Sequence, residues 1–494
     1  MSTSKLRKAV SLWFILFYAL VGVPLWYKLT AIYRAPLPVK YIEAVHENLH
    51  SDVHVTVPVY VRSDTYTFPD VHDAVQVQVN ELLRSKQGPV TWSLQVLPFD
   101  NTTVDPELDH VVTLVLDDDI GFTILYDSKE TIVFFNDETV ASNDVPFFVA
   151  QTLVEHTFEL EWRKFSSSTG ANDQNSMAIE YSPNVHLSLS LLTGDGRPVA
   201  WDIEPVLQQY FTPLREFLAP LVNFTVDTDI VQVNDLKLAS LRGATSPSWH
   251  DLSHAIDLSE LSTTNYYKER SVLHLAIVFP SAAAGELDFI NATTIHPWQS
   301  FLVPQWGVLM LNRKPLDDNT RITESYLKPV IYSFSRELLQ LLGLTSGNED
   351  LSTPYVTMES FQRMTILKNL EKSIDTLWSL VKLTQQFPQM AVPREVLDDV
   401  TAALDLRLKI VHLLNDPCKG GRSTWNEALH LSNELLALCE KAFFHKEMVQ
   451  QNFFPQEHKI AVYLPLLGPL TVIMLTGFIN AFRKKGLDLD KKER

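Results

Sequence analysis

The 494 residues carry 41 Lys and Arg against 59 Asp and Glu, a net charge of −18, with 46% apolar and 20% charged side chains. So much apolar surface excludes a disordered chain, and the negative field argues against nucleic acid as a partner. With only two cysteines, Cys418 and Cys439, a disulfide-dense secreted scaffold is excluded as well.

The first element is an apolar segment, Ala9–Tyr27, behind Lys5, Arg7 and Lys8. At about 1.5 Å per residue it is long enough to cross a bilayer as a helix. Bulky Leu25, Trp26 and Tyr27 stand where a signal peptidase needs small side chains, so an uncleaved anchor is expected. A second apolar segment, Ile460–Phe482, stops at Arg483, Lys484 and Lys485. Its Pro465, Gly468, Pro469 and Gly477 predict a kinked, closely packed helix. Basic flanks on both outer sides place both termini in the cytosol and everything between on the far side of the membrane. The two tails carry +3 each, which leaves −24 on residues 9–482. Lys491 and Lys492 stand fourth and third from the C-terminus and resemble the dilysine retrieval signal of endoplasmic-reticulum membrane proteins. The large domain is then lumenal. Three N-glycosylation sequons, at Asn101, Asn223 and Asn291, lie on that side.

Past the linker at Pro36 and Pro38, a short helix is expected over Val39–His50 and a strand over Val53–Val61. A helix over Val71–Ser85 ends before Gly88 and Pro89. Strands are expected over Val90–Leu97, His110–Leu116, Phe122–Leu125 and Thr131–Phe135, then a helix over Val145–Arg163 and a polar loop over Ser166–Asn175. A second cycle follows: strand Val185–Leu192, a turn at Gly194–Gly196, helix Ile203–Ala219, and strands Phe224–Val233, Leu273–Phe279 and Val308–Asn312. The alternation predicts a mixed sheet with helices on its faces, and the two cycles read as candidate related halves. From Ile322 the pattern turns helical, over Tyr326–Leu342, Met358–Phe387, Arg394–Leu414 and Ser423–Gln451, punctuated by Gly343, Pro388, Pro393 and Pro417. The fold class is therefore a lumenal α/β body, a mixed sheet with flanking helices, plus a C-terminal helical bundle, bracketed by two transmembrane helices. The domains are a cytosolic tail 1–8, a span 9–27, a lumenal α/β domain 28–320, a lumenal helical region 321–459, a span 460–482 and a cytosolic tail 483–494.

The one sharp catalytic motif is His46-Glu47-Asn48-Leu49-His50, which fits H-E-x-x-H. On a helix its two imidazoles would share a face and hold Zn²⁺, with Glu47 activating the bound water. Val53 and Thr56 occupy the positions where a metzincin carries glycine and its third histidine, so a distant carboxylate such as Asp70 or Asp73 would have to complete the site. Cys418 follows Asp-Pro in a loop between helices, without the Gln-Ala that precedes a caspase nucleophile. Cys439 reads as a core residue of a helix; whether the two cysteines pair with each other, pair with another chain or stay reduced is open. Asp117–Asp119 could bind a cation at a strand exit, and His250 with His254 has ligand spacing without companions. G-x-S-x-G, P-loop and Rossmann fingerprints are absent, so no catalytic residue, cofactor site or metal site is expected.

Several segments resemble the PIG-S family. They are Gly22–Lys28 with Ile32–Pro38, then Leu273-His274-Leu275 with Phe279-Pro280 and Trp306-Gly307-Val308, then Ala442–His445 with Phe453–Pro465. The resemblance implies a non-catalytic subunit of the GPI transamidase of the endoplasmic-reticulum membrane. That complex removes a C-terminal signal from a precursor protein and transfers the new carboxyl end to a glycolipid amine. It also implies partners: the other subunits, including a caspase-like catalytic chain, together with membrane lipid, GPI and precursor proteins. The rival reading from the residues alone is a lumenal zinc peptidase built on positions 46–50.

Overall fold

The computed structural model describes residues 3–22, 33–49, 51–63, 70–84, 91–166, 179–196, 199–232, 271–287, 297–316, 321–344, 354–388, 390–415 and 422–451, with isolated positions besides, among them 236, 238 and 471–477. By contact density the chain forms two compact units. Residues 50–369 with 409–433 make the larger, and residues 1–49, 370–408 and 434–494 the smaller.

The larger unit holds two five-stranded sheets, not the one mixed sheet that the alternation suggests. The first uses β1 (His54–Ser63), β2 (Thr91–Pro98), β3 (His110–Leu116), β4 (Gly121–Ile124) and β5 (Glu130–Phe135) in the order β2-β1-β3-β5-β4. The second uses β6 (Asn184–Thr193), β8 (Asn223–Gln232), β9 (Ser271–Phe279), β10 (Trp298–Val303) and β11 (Gly307–Asn312) in the order β8-β6-β9-β11-β10. Between β6 and β8 in sequence, β7 (Ala200–Trp201) pairs instead with β12 (Arg321–Ile322). Numbered within each cycle, both orders read second, first, third, fifth, fourth. In both, the first three strands and the fifth pair in parallel, and the fourth turns back antiparallel onto the fifth. The two cycles are copies of one topology.

The crossovers match too. In the first cycle a helix (Val71–Arg84) links the first strand to the second; buried Val75 and Val79, one turn apart, face inward. In the second cycle the same link is made by Ile203–Val206, a π-turn at Leu207–Phe211, and Thr212–Leu218. The expected helix over Val145–Arg163 is interrupted in the same way. It runs Val145–Gln151, widens to a π-turn at Thr152–Thr157, and resumes at Glu159–Ser166. Thr152 contributes to this by donating its hydroxyl to the Phe148 carbonyl at 2.9 Å, which competes with the regular ladder. After the second sheet the helix Glu324–Leu341 lays Leu327, Val330, Ile331, Phe334, Leu338 and Leu341 inward at helical spacing. The core of the second sheet includes Leu192, Ala276, Val278, Leu309 and Leu311.

Three long helices close the chain: Pro354–Gln386, Arg394–Asn415 and Arg422–Phe443, followed by Lys446–Gln451. Their parts within the smaller unit, residues 370–408 and 434–443, stand with an N-terminal helix, Val39–Glu47, which buries Ile42 and Val45. Among the described residues no helix is long and apolar enough to cross a membrane. The described part of the first apolar segment is helical over Thr3–Phe17 and continues as a π-turn, Tyr18–Gly22; only part of Ile460–Phe482 is described.

Candidate functional site

Among the described residues the H-E-x-x-H motif shows no metal face. Its helix ends at Glu47, and Asn48, at φ −101 and ψ 15, has already left helical geometry, so the described helix does not carry through the motif. His46 is engaged elsewhere, its ring stacked on Trp378 with centroids 5.3 Å apart and its Nε2 3.4 Å from Asp375. Glu47 is exposed, and His50 lies outside the described residues. Among the described residues no three His, Cys, Asp or Glu side chains gather into a metal-binding group. Asp117–Asp119 form an exposed strand exit, with the Asp118 N–H turned onto the Asp117 carboxylate at 2.7 Å. Cys418, His250, His254, Asn291, Lys491 and Lys492 lie outside the described residues.

Cys439 is buried, and burial pushes its thiol up to about 12. It is therefore a neutral thiol at physiological pH and a poor nucleophile. Two sequons fall in describable places. Asn101 occupies an exposed turn that Asp100 organises by accepting from the Thr102 hydroxyl at 2.7 Å. Asn223 opens β8 with its side chain at the surface, while Thr225 of the same sequon contacts Nδ1 of buried His186 at 2.9 Å.

The principal polar constellation of the larger unit is one that no motif announces. Glu359, buried on the helix Pro354–Gln386, faces His110 Nε2 at 3.0 Å, Lys129 Nζ at 2.5 Å and the Arg363 guanidinium at 3.7 Å. Arg363 also pairs with Glu161 at 2.6 Å, and Ser360 donates to the same carboxylate at 2.7 Å. Its guanidinium stacks over Phe158 at 5.8 Å and Trp425 at 5.2 Å, and Lys129 donates to the Leu108 carbonyl. Burial alone would raise the Glu359 carboxyl. The hydrogen bond from His110 and the cations Lys129 and Arg363 overcome it and hold the group at about 2. Burial, aided by those two cations, keeps the His110 imidazole neutral against the pull of Glu359. Two cations and two carboxylates then balance, with His110 donating from Nε2. This set clamps the start of β3, the residue before β5 and the helix Glu159–Ser166 to one long helix. Its chemistry is structural. The legible hint was Glu359 and Arg363, opposite charges four residues apart on a helix.

Two of the segments that carry the family resemblance meet in the second sheet. Gly307 pairs with His274 in the β9–β11 register, the His274 N–H donates to the Trp306 carbonyl at 2.9 Å, and the two rings stack at 5.0 Å. Gly307 has φ +145, and a Cβ there would lie 2.0 Å from the His274 carbonyl oxygen, so only glycine permits this approach. Burial depresses the His274 imidazole, and neighbouring His186 adds to the effect.

Residues 13–486 match the family described as Phosphatidylinositol-glycan biosynthesis class S protein, PIG-S. The chain belongs to the PIG-S family. It is 59% identical, over 98% of its length and 93% of the relative's, to the GPI transamidase component GPI17 of Saccharomyces cerevisiae. It is 27% identical to the GPI transamidase component PIG-S homolog of Schizosaccharomyces pombe, over 93% of this chain and 81% of that one. To the GPI-anchor transamidase component PIGS of Homo sapiens it is 23% identical, over 99% and 97%.

Proposed function

We propose that this chain is a non-catalytic subunit of a GPI transamidase, supporting the transfer of GPI anchors to precursor proteins by binding and positioning partners. The observation that carries the reading is end-to-end similarity to a named transamidase component, 59% over 98% of the chain. Similarity of that extent takes in both apolar segments, both sheets and the bundle, not a module that different complexes share. The non-catalytic role is supported by the neutral, buried Cys439 and by the engagement of His46 with Trp378 and Asp375.

The chain is held in the endoplasmic-reticulum membrane by two spans, 9–27 and 460–482, with both tails cytosolic and the body lumenal. The exposed apolar side chains of these segments support this, among them Trp13, Phe14, Leu20, Ile473 and Leu475. Such surface costs about 25 cal/mol per Å² in water, and a hydrocarbon core removes that cost. Asn101, Asn223 and Asn291 are its glycan acceptors, and Lys491 with Lys492 its retrieval signal. Its partners are the other transamidase subunits, including a caspase-like catalytic chain, with precursor protein and GPI lipid reaching the assembled complex. Affinity purification in mild detergent tests the assignment. The expected result is co-recovery of a caspase-like chain, together with loss of surface GPI-anchored proteins on depletion. Recovery of the chain alone, with surface levels unchanged, overturns it.

A further inference from the structure

Within the smaller unit, three separate segments are stitched into one end of the helical bundle. The first is Tyr33–Ala35, just beyond the first apolar segment. The Ala35 N–H donates to the Val392 carbonyl at 2.9 Å and the Val392 N–H to the Tyr33 carbonyl at 3.2 Å. Between them Arg34 caps the end of the helix Pro354–Gln386, donating to the carbonyls of Thr384 at 2.6 Å and Pro388 at 2.8 Å. The second segment is thus the loop from Phe387 to Pro393. The third is the end of the helix Arg422–Phe443, which His445–Glu395 at 3.2 Å and Lys441–Asp399 at 2.8 Å fasten to the first turns of the helix after that loop.

Each segment exposes one large aromatic side chain. Tyr33 is 61% exposed, Phe387 45% and Phe444 67%. Three exposed rings gather at this end of the bundle, and each carries about 150–250 Å² whose exposure water disfavours. Position decides what covers them. Tyr33 stands six positions beyond Tyr27, the end of the first apolar segment, so its backbone lies within about 20–22 Å of it even if the chain is fully extended. Aromatic side chains concentrate at the membrane–water boundary, where the ring meets acyl chains and the polar backbone meets headgroups.

We propose that this bundle end rests on the lumenal leaflet of the membrane, with Phe387 and Phe444 inserted at the headgroup boundary beside Tyr33. The loop at Phe387 then makes a third, non-spanning membrane contact. The proposal rests on the two-span reading, and the experiment separates the two. Single spin labels replace Phe387→Cys, Phe444→Cys, Val77→Cys and Trp13→Cys in the full chain carrying Cys418→Ser, reconstituted in lipid nanodiscs. Cys439 stays unlabelled because its thiol is buried and neutral. Relaxation by oxygen should exceed relaxation by a water-soluble nickel chelate at 387 and 444, as it does at 13, whereas 77, exposed in the larger unit, shows the reverse. Labels at 387 and 444 that read as aqueous, or as shielded from both reagents by a protein surface, overturn the contact while 13 keeps the spans. An aqueous reading at 13 removes the spans and the contact together.

Discussion

Glu359 shows how one residue organises a core. It carries its charge in a site that excludes water because three donors converge on it, and the helix Pro354–Gln386 is fixed to the first sheet through that convergence. Removing one member of such a set costs more than the set contributes, since the remaining charge stays buried without a partner. Glu359→Gln should therefore destabilise by about 3–5 kcal/mol, whereas replacing Lys129 and Glu359 together by apolar residues of matching shape should cost markedly less. Thermal unfolding of the two variants beside the parent checks this; a double variant that loses as much as Glu359→Gln or more would count against the coupling. The same residues set a pH response. The Glu359 carboxyl is depressed from 4.5 to about 2, so its contribution is complete above 4.5 and fades as pH falls toward 2. The His110 imidazole is also depressed below its ordinary 6.5, so the unfolded chain takes up a proton first as pH falls below that value. Both act in one direction: stability should decline on acidification from pH 6.5 downward, and Glu359→Gln should flatten the part below 4.5.

Among the elements, those with a strong internal period were legible. The long helices matched to within a few residues because their apolar residues recur at helical spacing between proline and glycine stops. The buried strands matched because runs such as His110–Leu116 are short, branched and bounded. The strand Trp298–Val303 escaped notice because it is only half buried, so its composition lacks a continuous apolar run. The π-turns left no periodic signal, and the clamp around Glu359 joins residues some 250 positions apart that no local pattern links. Two sheets instead of one could not be read from alternation, which reports neighbours in sequence and not partners in space. One device at this scale is testable. β2 is one of the two outer strands of the first sheet, and Gln76 covers part of its edge by donating to the Leu94 carbonyl at 3.0 Å and accepting from the Val96 N–H at 2.6 Å. An uncovered edge is a template for stray pairing. Gln76→Ala should cost about 1–3 kcal/mol and speed hydrogen exchange within residues 91–98, with the inner strand β1 unchanged. Unaltered exchange there would show that another group guards the edge.

At the scale of the whole molecule, two ends and a body must work as one address. The terminal apolar segments were the plainest feature of the sequence, and on the proposed topology the tail beyond the second would add a signal for a receptor in the cytosol. The sequons would report the opposite compartment, because only a lumenal Asn101 would meet the glycosylating machinery, and its exposed turn would leave an attached sugar open to later processing. The two features therefore test each other in one chain. Asn101→Gln should remove one glycan's worth of mass on gel mobility. Lys491→Ser with Lys492→Ser should leave that glycan in place but let it acquire post-endoplasmic-reticulum processing. The effect should be largest when the chain is made in excess over its partners, since subunits already assembled are retained through one another. A tail variant whose glycans stay unprocessed under that excess would assign retention to assembly alone, and a chain without a glycan at Asn101 under any condition would count against a lumenal body.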